Sequence, residues 1–500
     1  MPSPERTIIG GTLEIPRMIT GLWQLAGGHD KHVDYDEAVG AMDSLISSGL
    51  ECFDMADHYG DAELIIGYHH KVSRQSKTAF TKWCPAGKGD QSFRRAEEAV
   101  DLALLRLNQK KISLLQYHAW DYTDDTYIHN IAHLNTLRKQ GKIAHIGLTN
   151  TDAAHLELLL NSGFPIATNQ VSCSVIDRRS VRGRLSTVCT QHDVKILAYG
   201  TLLGGFLSET WLDHPEPLDI ETLNWSLRKY LRFIKAAGGW EPFQMVLRAL
   251  DTVARRHHVG IAAVATRYVL DLPVVAAAIV GSRLTRAQEM YTTRNLSAFS
   301  IVLSEHDKLT ISNAQESLLD IPGDCGDEYR RAPFLTASGD LSHHISDSPT
   351  SRAAEIQLAI SEGARIEYSS GSKWEPLAGY CRALRSGDSI RVSGTTANSS
   401  INDLGVLGGT SARSQTLAVL DIIARALKAL GGELKDVVRT RVMVRREEDC
   451  EEVSLAHGWA FGCLGVRPVN TMIVAELIGK EFLVEIEAEA ELGLKGVLKV

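Results

Sequence analysis

At 500 residues the chain exceeds what one hydrophobic core normally serves, which predicts two domains, or a large barrel plus a smaller unit. Hydrophobic content of 44%, charged content of 23% and a net charge of -8 describe an ordinary globular chain without a basic footprint for nucleic acid. The eight cysteines are scattered, with no C-x-x-C pair and no zinc-spaced cluster, so reduced thiols in a cytoplasmic protein are expected, with neither disulfides nor a bound metal. The start, MPSPERTIIGG, lacks a signal-peptide core, and no run approaches the roughly 20 apolar residues a membrane span needs, so no membrane partner is expected.

From about residue 18 to residue 295 short apolar runs alternate with longer amphipathic ones. The short runs are MITGLWQLA, LECFDMA, TAFTKWC, ISLLQYHAW, IAHIGLTN, ATNQVSCS, VKILAYGTL and VAAAIVGS. The intervening segments carry helical spacing; in DDTYIHNIAHLNTLRKQG, Ile128, Ile131, Leu134 and Leu137 form one buried face and Gly141 ends it. Nearly continuous apolar strands separated by helices imply a parallel sheet covered on its outside, and eight such units close into a (β/α)8 TIM barrel. The connection from about Gly204 to Gly239, with Trp211, Pro215, Pro217 and Trp225, is longer than the others and reads as a substrate-covering loop or a decorated rim.

Composition changes near residue 321, and these shifts place the barrel at 1–320, a flexible Gly/Pro/Ser/Asp-rich linker at 321–355 and an α+β domain at 356–500. The last contains strand candidates ARIEYSS, YCRALRSG, SIRVSGTTA, VVRTRVMVR, NTMIVAEL and FLVEIEAEAEL, with helices SARSQTLAVLDIIARALKALGG and DCEEVSLAHGWAFG.

In such a barrel the reactive groups sit where the strands end. The second strand ends at Asp54 with Tyr59 in the loop beyond, the third brings Lys82 and the fourth His118. An ammonium near a phenol favours the phenolate and lowers its pKa, a carboxylate holds the ammonium, and an imidazole orients a carbonyl oxygen. Tyr59 then protonates an oxygen becoming an alcohol while a nicotinamide supplies the hydride these side chains cannot. Taken singly, each residue reads as structural; together they read as catalytic. Asp57 and His58 read as loop residues, Cys84 as a small buried residue, and Arg178 and Arg179 as salt-bridge partners on the outer layer.

The set Asp54, Tyr59, Lys82 and His118 resembles the tetrad of the aldo-keto reductase family, over residues 7 to 318. The resemblance implies NADP(H) as cofactor and a small carbonyl compound as substrate. Cofactor contacts implied by it are Trp23, Asp54, Thr149, Asn150, Gln170, Tyr199, Gly200, Leu202, Gly204, Gly281, Ser282, Arg283, Arg286, Gln288 and Asn295, the arginines favouring a 2'-phosphate.

The segments EPLAGYCRALRSGDSIRVSGTTA, RPVNTMIVAEL and FLVEIEAEA resemble the Rid family, with a chorismate-mutase-like α+β fold, over residues 362 to 495. The likeness implies cleft residues Tyr380, Ser393 and Glu485, and Asn470 stands where the imine-hydrolysing members carry a carboxylate-binding arginine. Trimerisation or small-metabolite binding is therefore expected, and a homo-oligomer through this domain. The alternatives are a bifunctional reductase and imine/enamine hydrolase, or a cofactor-sensing scaffold.

Overall fold

In the computed structural model the described residues are 2–26, 33–85, 90–285, 288–330, 356, 358–401, 404–494 and 496. The chain divides into two compact units, one of 1–120, 130–153 and 165–344 and the other of 121–129, 154–164 and 345–500. No helix among the described residues is long and apolar enough to cross a membrane.

All eight strands expected for the barrel form: β3 (Met18–Gly21), β4 (Cys52–Asp54), β5 (Thr78–Trp83), β6 (Ile112–His118), β7 (Ile143–Thr149), β8 (Ile166–Ser172), β9 (Lys195–Tyr199) and β10 (Val275–Gly281). They close in parallel in that order, β10 pairing back onto β3. A hairpin of β1 (Arg6–Ile9) and β2 (Leu13–Pro16) precedes them, before the point where the alternating pattern becomes legible. Its Ile9 and Ile15 join Ile19, Cys52, Phe80, Leu114 and Leu197 in one buried apolar cluster.

Strand alternation then fixes the site. Residues two apart share a face, so the face holding Cys52, Phe80 and Leu114 next presents Asp54, Lys82 and Gln116. The apolar layer gives way to a polar one within one pleat. His118 follows Gln116 by the same step, at the end of β6.

The long connection between β9 and β10 holds three short 3-10 turns and then helices Trp225–Ala236, Trp240–His257 and Ile261–Leu270. Helix Trp225–Ala236 packs directly on the loop after β9, and two glycines permit this. Gly200 and Gly204 have φ of 71° and 66°, and a Cβ on either would meet Tyr230 within 3 Å. Ser226, Lys229 and Tyr230 of that helix line the same cavity as the strand ends.

Flexibility was expected from residue 321, but the chain stays packed in the barrel unit to residue 330. Ile321, Cys325, Asp327 and Glu328 are buried, and Asp327–Arg330 forms a short helix. Arg179, expected on the outer layer, is instead the buried clamp of this segment. Its guanidinium donates to both Asp177 oxygens at 2.8 and 2.7 Å, to Glu328 at 2.7 Å and to the Asp324 carbonyl at 2.9 Å. Such a charge is tolerated away from water only because every side of it is paired. The expected linker residues 331–355 lie outside the described residues.

The second unit contains a six-stranded mixed sheet in the order β11 (Ile366–Tyr368), β12 (Ala383–Ser386), β13 (Ser389–Thr396), β16 (Val484–Glu491), β14 (Val437–Val444) and β15 (Val469–Val474). Only β14 and β15 run parallel. Helices Ala412–Ala429 and Cys450–Gly462 supply Leu417, Leu420, Ile423, Val453 and Phe461 to its core. In β16 the alternation is complete: Val484, Ile486, Ala488 and Ala490 are buried, while the glutamates between them are part-exposed on the other face.

Candidate functional site

A cavity of about 1190 Å³ opens at the C-terminal ends of the barrel strands, and Asp54, Tyr59, Lys82 and His118 all line it. The Lys82 ammonium donates to Asp54 Oδ2 at 2.5 Å and to the Met55 carbonyl at 2.9 Å. The other Asp54 oxygen accepts from Gln116 Nε2 at 2.7 Å and Gln170 Nε2 at 2.8 Å, and Gln170 also donates to Gln116 Oε1. The buried ion pair is thus surrounded by amides that satisfy its remaining acceptor. Gln116 was missed in the sequence because a glutamine at that position in an apolar strand carries no motif; only the shared pleat face identifies it.

Lys82 also lies 5.0 Å from the centre of the Tyr59 ring. It was expected to pull the phenol pKa down. Instead burial pushes the Tyr59 phenol well above its ordinary value, with the Asp54 charge adding to the rise and Lys229 opposing it. Lys82 is held by Asp54 at 2.5 Å. The phenol is therefore protonated at neutral pH, the form that can donate.

His118 is pushed well below its ordinary pKa, first by burial and then by Arg330, His58, Lys82 and Lys229, so its imidazole is neutral. Its Nε2 is buried without a hydrogen-bond partner, and so is the indole Nε1 of Trp120, whose ring lies 4.0 Å from the imidazole. An unpaired buried polar atom costs free energy unless something polar meets it. On the wall of a cavity that something is water or a bound ligand.

Most of the expected cofactor residues line the same cavity. Trp23, Thr149, Asn150, Gln170, Tyr199, Gly200, Leu202, Gly204, Gly281, Ser282, Arg283 and Asn295 all line the cavity. The Asn150 side chain, on a backbone with φ of 55°, accepts from the Tyr199 hydroxyl at 2.7 Å, and Thr149 Oγ1 donates to the Gln170 carbonyl at 3.1 Å. The amide nitrogen of Gln170, expected to meet a nicotinamide, is held by Asp54 and Gln116. Arg286 lies outside the described residues, and Gln288 opens helix Gln288–Leu296. Arg294, not foreseen, lines the cavity with Arg283 and Asn295. Two further residues came from unexpected places: Lys229, and Tyr329 from the segment read as linker. Lys229 donates to the Tyr329 hydroxyl at 2.8 Å, which lies 3.2 Å from that of Tyr199.

Beside this group Asp57, His58 and Cys84 bring a carboxylate, an imidazole and a thiol within 4.8 Å of one another, the kind of set that can hold a metal ion. Their own hydrogen bonds occupy the carboxylate: one oxygen meets His58 Nδ1 at 2.7 Å and the other accepts from the Cys84 amide at 3.0 Å.

Among the expected cleft residues of the second unit, Asn470 and Glu485 fall on opposite faces of the sheet. Asn470 is opposite Thr440 and accepts from its hydroxyl at 3.2 Å, on the face where Thr440 meets His457 of the covering helix. Glu485 lies three positions along β16 from Ala488, the partner of Thr440, which turns it to the opposite face. Ser393 donates to the Cys381 carbonyl at 2.8 Å and lines a shallow pocket of about 230 Å³ with Arg391, Arg441 and Glu487. Tyr380 is exposed, its hydroxyl 3.5 Å from Arg382 Nη2. Burial raises the pKa of Glu485, Arg382 opposing the rise.

Comparison with known proteins agrees with both halves. Residues 17–316 match the model of the aldo/keto reductase family, and residues 371–492 match the model described as Endoribonuclease L-PSP. The chain is 35% identical over 125 residues to an uncharacterized protein of Streptomyces coelicolor, covering 25% of this chain and 90% of that one. It is 27% identical over 226 residues to the NADH-specific methylglyoxal reductase of Escherichia coli, covering 40% of this chain and 68% of the relative. Among solved structures, an aldo-keto reductase from Klebsiella pneumoniae in complex with NADPH is 21% identical, with TM-score 0.47, covering 62% of this chain and 94% of the other. The chain belongs to the aldo/keto reductase family, with a Rid-like domain following the barrel.

Proposed function

We propose that the barrel reduces an aldehyde or ketone to an alcohol with NADPH, Tyr59 giving the proton. The observation that carries this reading is the orphaned, neutral His118 Nε2 on the wall that also holds Tyr59. A neutral imidazole donating from that atom meets a carbonyl oxygen and orients it toward the protonated phenol. The ion pair of Lys82 with Asp54 fixes the floor beneath the phenol.

The cavity's donor set fits a nicotinamide dinucleotide. Tyr199 offers an aromatic face, Thr149 and Asn150 offer polar groups beside it, and Arg283 and Arg294 offer cations for phosphate at the other end. When bound, that cofactor supplies the hydride that no side chain can. Two arginines at the phosphate end favour NADPH over NADH. The test is steady-state oxidation of NADPH and of NADH over a panel of carbonyl compounds, with Tyr59→Phe alongside. Loss of turnover in Tyr59→Phe supports the reading; full turnover in that variant refutes it.

For the second unit we propose assembly or metabolite binding over imine hydrolysis. The support is the separation of Asn470 and Glu485 onto opposite faces, together with the missing charge at Asn470. A cofactor-sensing scaffold is disfavoured because a sensor has no use for a complete proton-transfer set.

A further inference from the structure

Resting on the reductase reading, we propose that Trp120 is a second substrate-binding donor beside His118, and that the barrel prefers carbonyl compounds with an oxo group on the neighbouring carbon. Trp120 stands two residues past His118, just beyond the end of β6, and both line the cavity. They are 8% and 4% exposed, and neither the indole Nε1 nor the imidazole Nε2 has a hydrogen-bond partner among the described residues. The ring centres lie 4.0 Å apart at an interplanar angle of 46°. Tyr329 packs edge-on against both, 5.6 Å from the imidazole and 6.3 Å from the indole. Turning the indole away would break both ring contacts, so its N–H is set in place before any ligand arrives.

The indole N–H can only donate, and a buried donor left unmet costs about 1–3 kcal/mol. The oxygen that is reduced has two lone pairs, and the reductase reading commits them to Tyr59 and His118. The Trp120 N–H therefore needs a different acceptor, and the closeness of the two rings puts it on an atom near the reacting carbonyl. An oxo oxygen on the next carbon meets the requirement, since it accepts and brings no proton of its own. A hydroxyl there accepts too, but its proton then needs an acceptor that two donating rings do not supply. The second oxo group is unchanged by the reaction: hydride adds to one carbonyl carbon, the Tyr59 proton adds to its oxygen, and a hydroxy ketone leaves. The competing account makes Trp120 a packing residue whose N–H meets water.

The experiment measures NADPH oxidation by the full chain with 2,3-pentanedione, 3-hydroxy-2-pentanone and 2-pentanone, for the unaltered protein and for Trp120→Phe, which keeps a ring and removes the N–H. A dione is intrinsically the more electrophilic, so the quantity that decides is the change in the dione-to-ketone ratio of kcat/KM between the two proteins. The expected result is that the unaltered protein prefers the dione and that Trp120→Phe lowers the ratio about tenfold, mainly through the dione's KM. Trp120→Leu, which also lacks the donor, is expected to lower the ratio alike and stands in should Trp120→Phe not fold. An equal loss for dione and ketone, or no loss for either, overturns the inference in favour of packing while leaving the reductase reading intact. A hydroxy ketone that is the better substrate and suffers the larger loss overturns the oxo assignment. No turnover of any of the three, with none of a wider carbonyl panel, removes both the inference and the reductase reading.

Discussion

Replacing Tyr59 with Phe takes away one hydroxyl and leaves the ring beside Lys82, so the variant isolates proton delivery from packing. If the phenol is the donor, kcat falls by roughly 10²–10⁴-fold while NADPH still quenches or enhances protein fluorescence on titration. Lys82→Met asks a different question. It strips Asp54 of its cation and leaves a buried carboxylate held only by two amides, which should cost about 3–5 kcal/mol and show as a lower denaturation midpoint. Tyr59 and Lys82 were legible in the sequence because one follows and the other nearly ends a strand whose apolar pattern is plain. Lys229 was not, since a lysine on an amphipathic helix looks the same whether it faces water or a ring of aromatics. Gln116 was hidden for the converse reason: its partners Asp54 and Gln170 lie 62 and 54 residues away.

Helices and loops offer tests of how the site is walled. At Gly204 a side chain would both occupy a left-handed backbone and press within 2.9 Å of the Ser226 carbonyl. Gly204→Ala should therefore displace helix Trp225–Ala236, costing about 1–3 kcal/mol, and change the emission of Trp23 and Trp225, whose rings are 5.9 Å apart. The segment ending at Arg330 gives a pH test. Burial, with Asp152 next in weight, raises the Asp324 carboxyl from 3.8 to about 7. A carboxyl whose folded pKa is raised disfavours the folded state once it must ionise, so its penalty grows from about pH 4 to about pH 7 and is complete above that. In Asp324→Asn one of the backbone amides of Ala153 and Cys325 loses its acceptor at every pH, but the melting temperature relative to the unaltered protein should rise from pH 4 to pH 8 as the ionisation penalty is removed. Local composition concealed this element. Its Gly, Pro and Asp content imitates a linker, and the clamp that orders it is a long-range one, Arg179 to Glu328 across 149 positions.

At the scale of the whole chain, the barrel was readable because eight apolar runs and their helices repeat one rule, and the second unit because its strands alternate so cleanly. What periodicity did not convey was which faces of that second sheet carry the named residues, since the answer depends on register across β14. From that register, Asn470→Arg alone is expected not to confer turnover of 2-aminoacrylate-type imines on the full chain, whereas such turnover in the unaltered protein, abolished by Glu485→Ala, would contradict the assembly role. Sedimentation equilibrium of the full chain should give three times the mass of 54.8 kDa if this unit gathers copies of itself as its family resemblance implies.

The two sheets also differ in how they finish. The barrel joins β10 to β3 and so has no seam, but among the described residues β15 has a neighbour on one side only and exposes Val469, Ile473 and Val474. An unfinished ribbon of aliphatic residues is a template for any other extended chain. Light scattering during concentration or mild heating should therefore rise first from this margin, and a lysine in place of Ile473 should delay the onset of turbidity, while comparable charges added to the outer helices of the cylinder should make little difference.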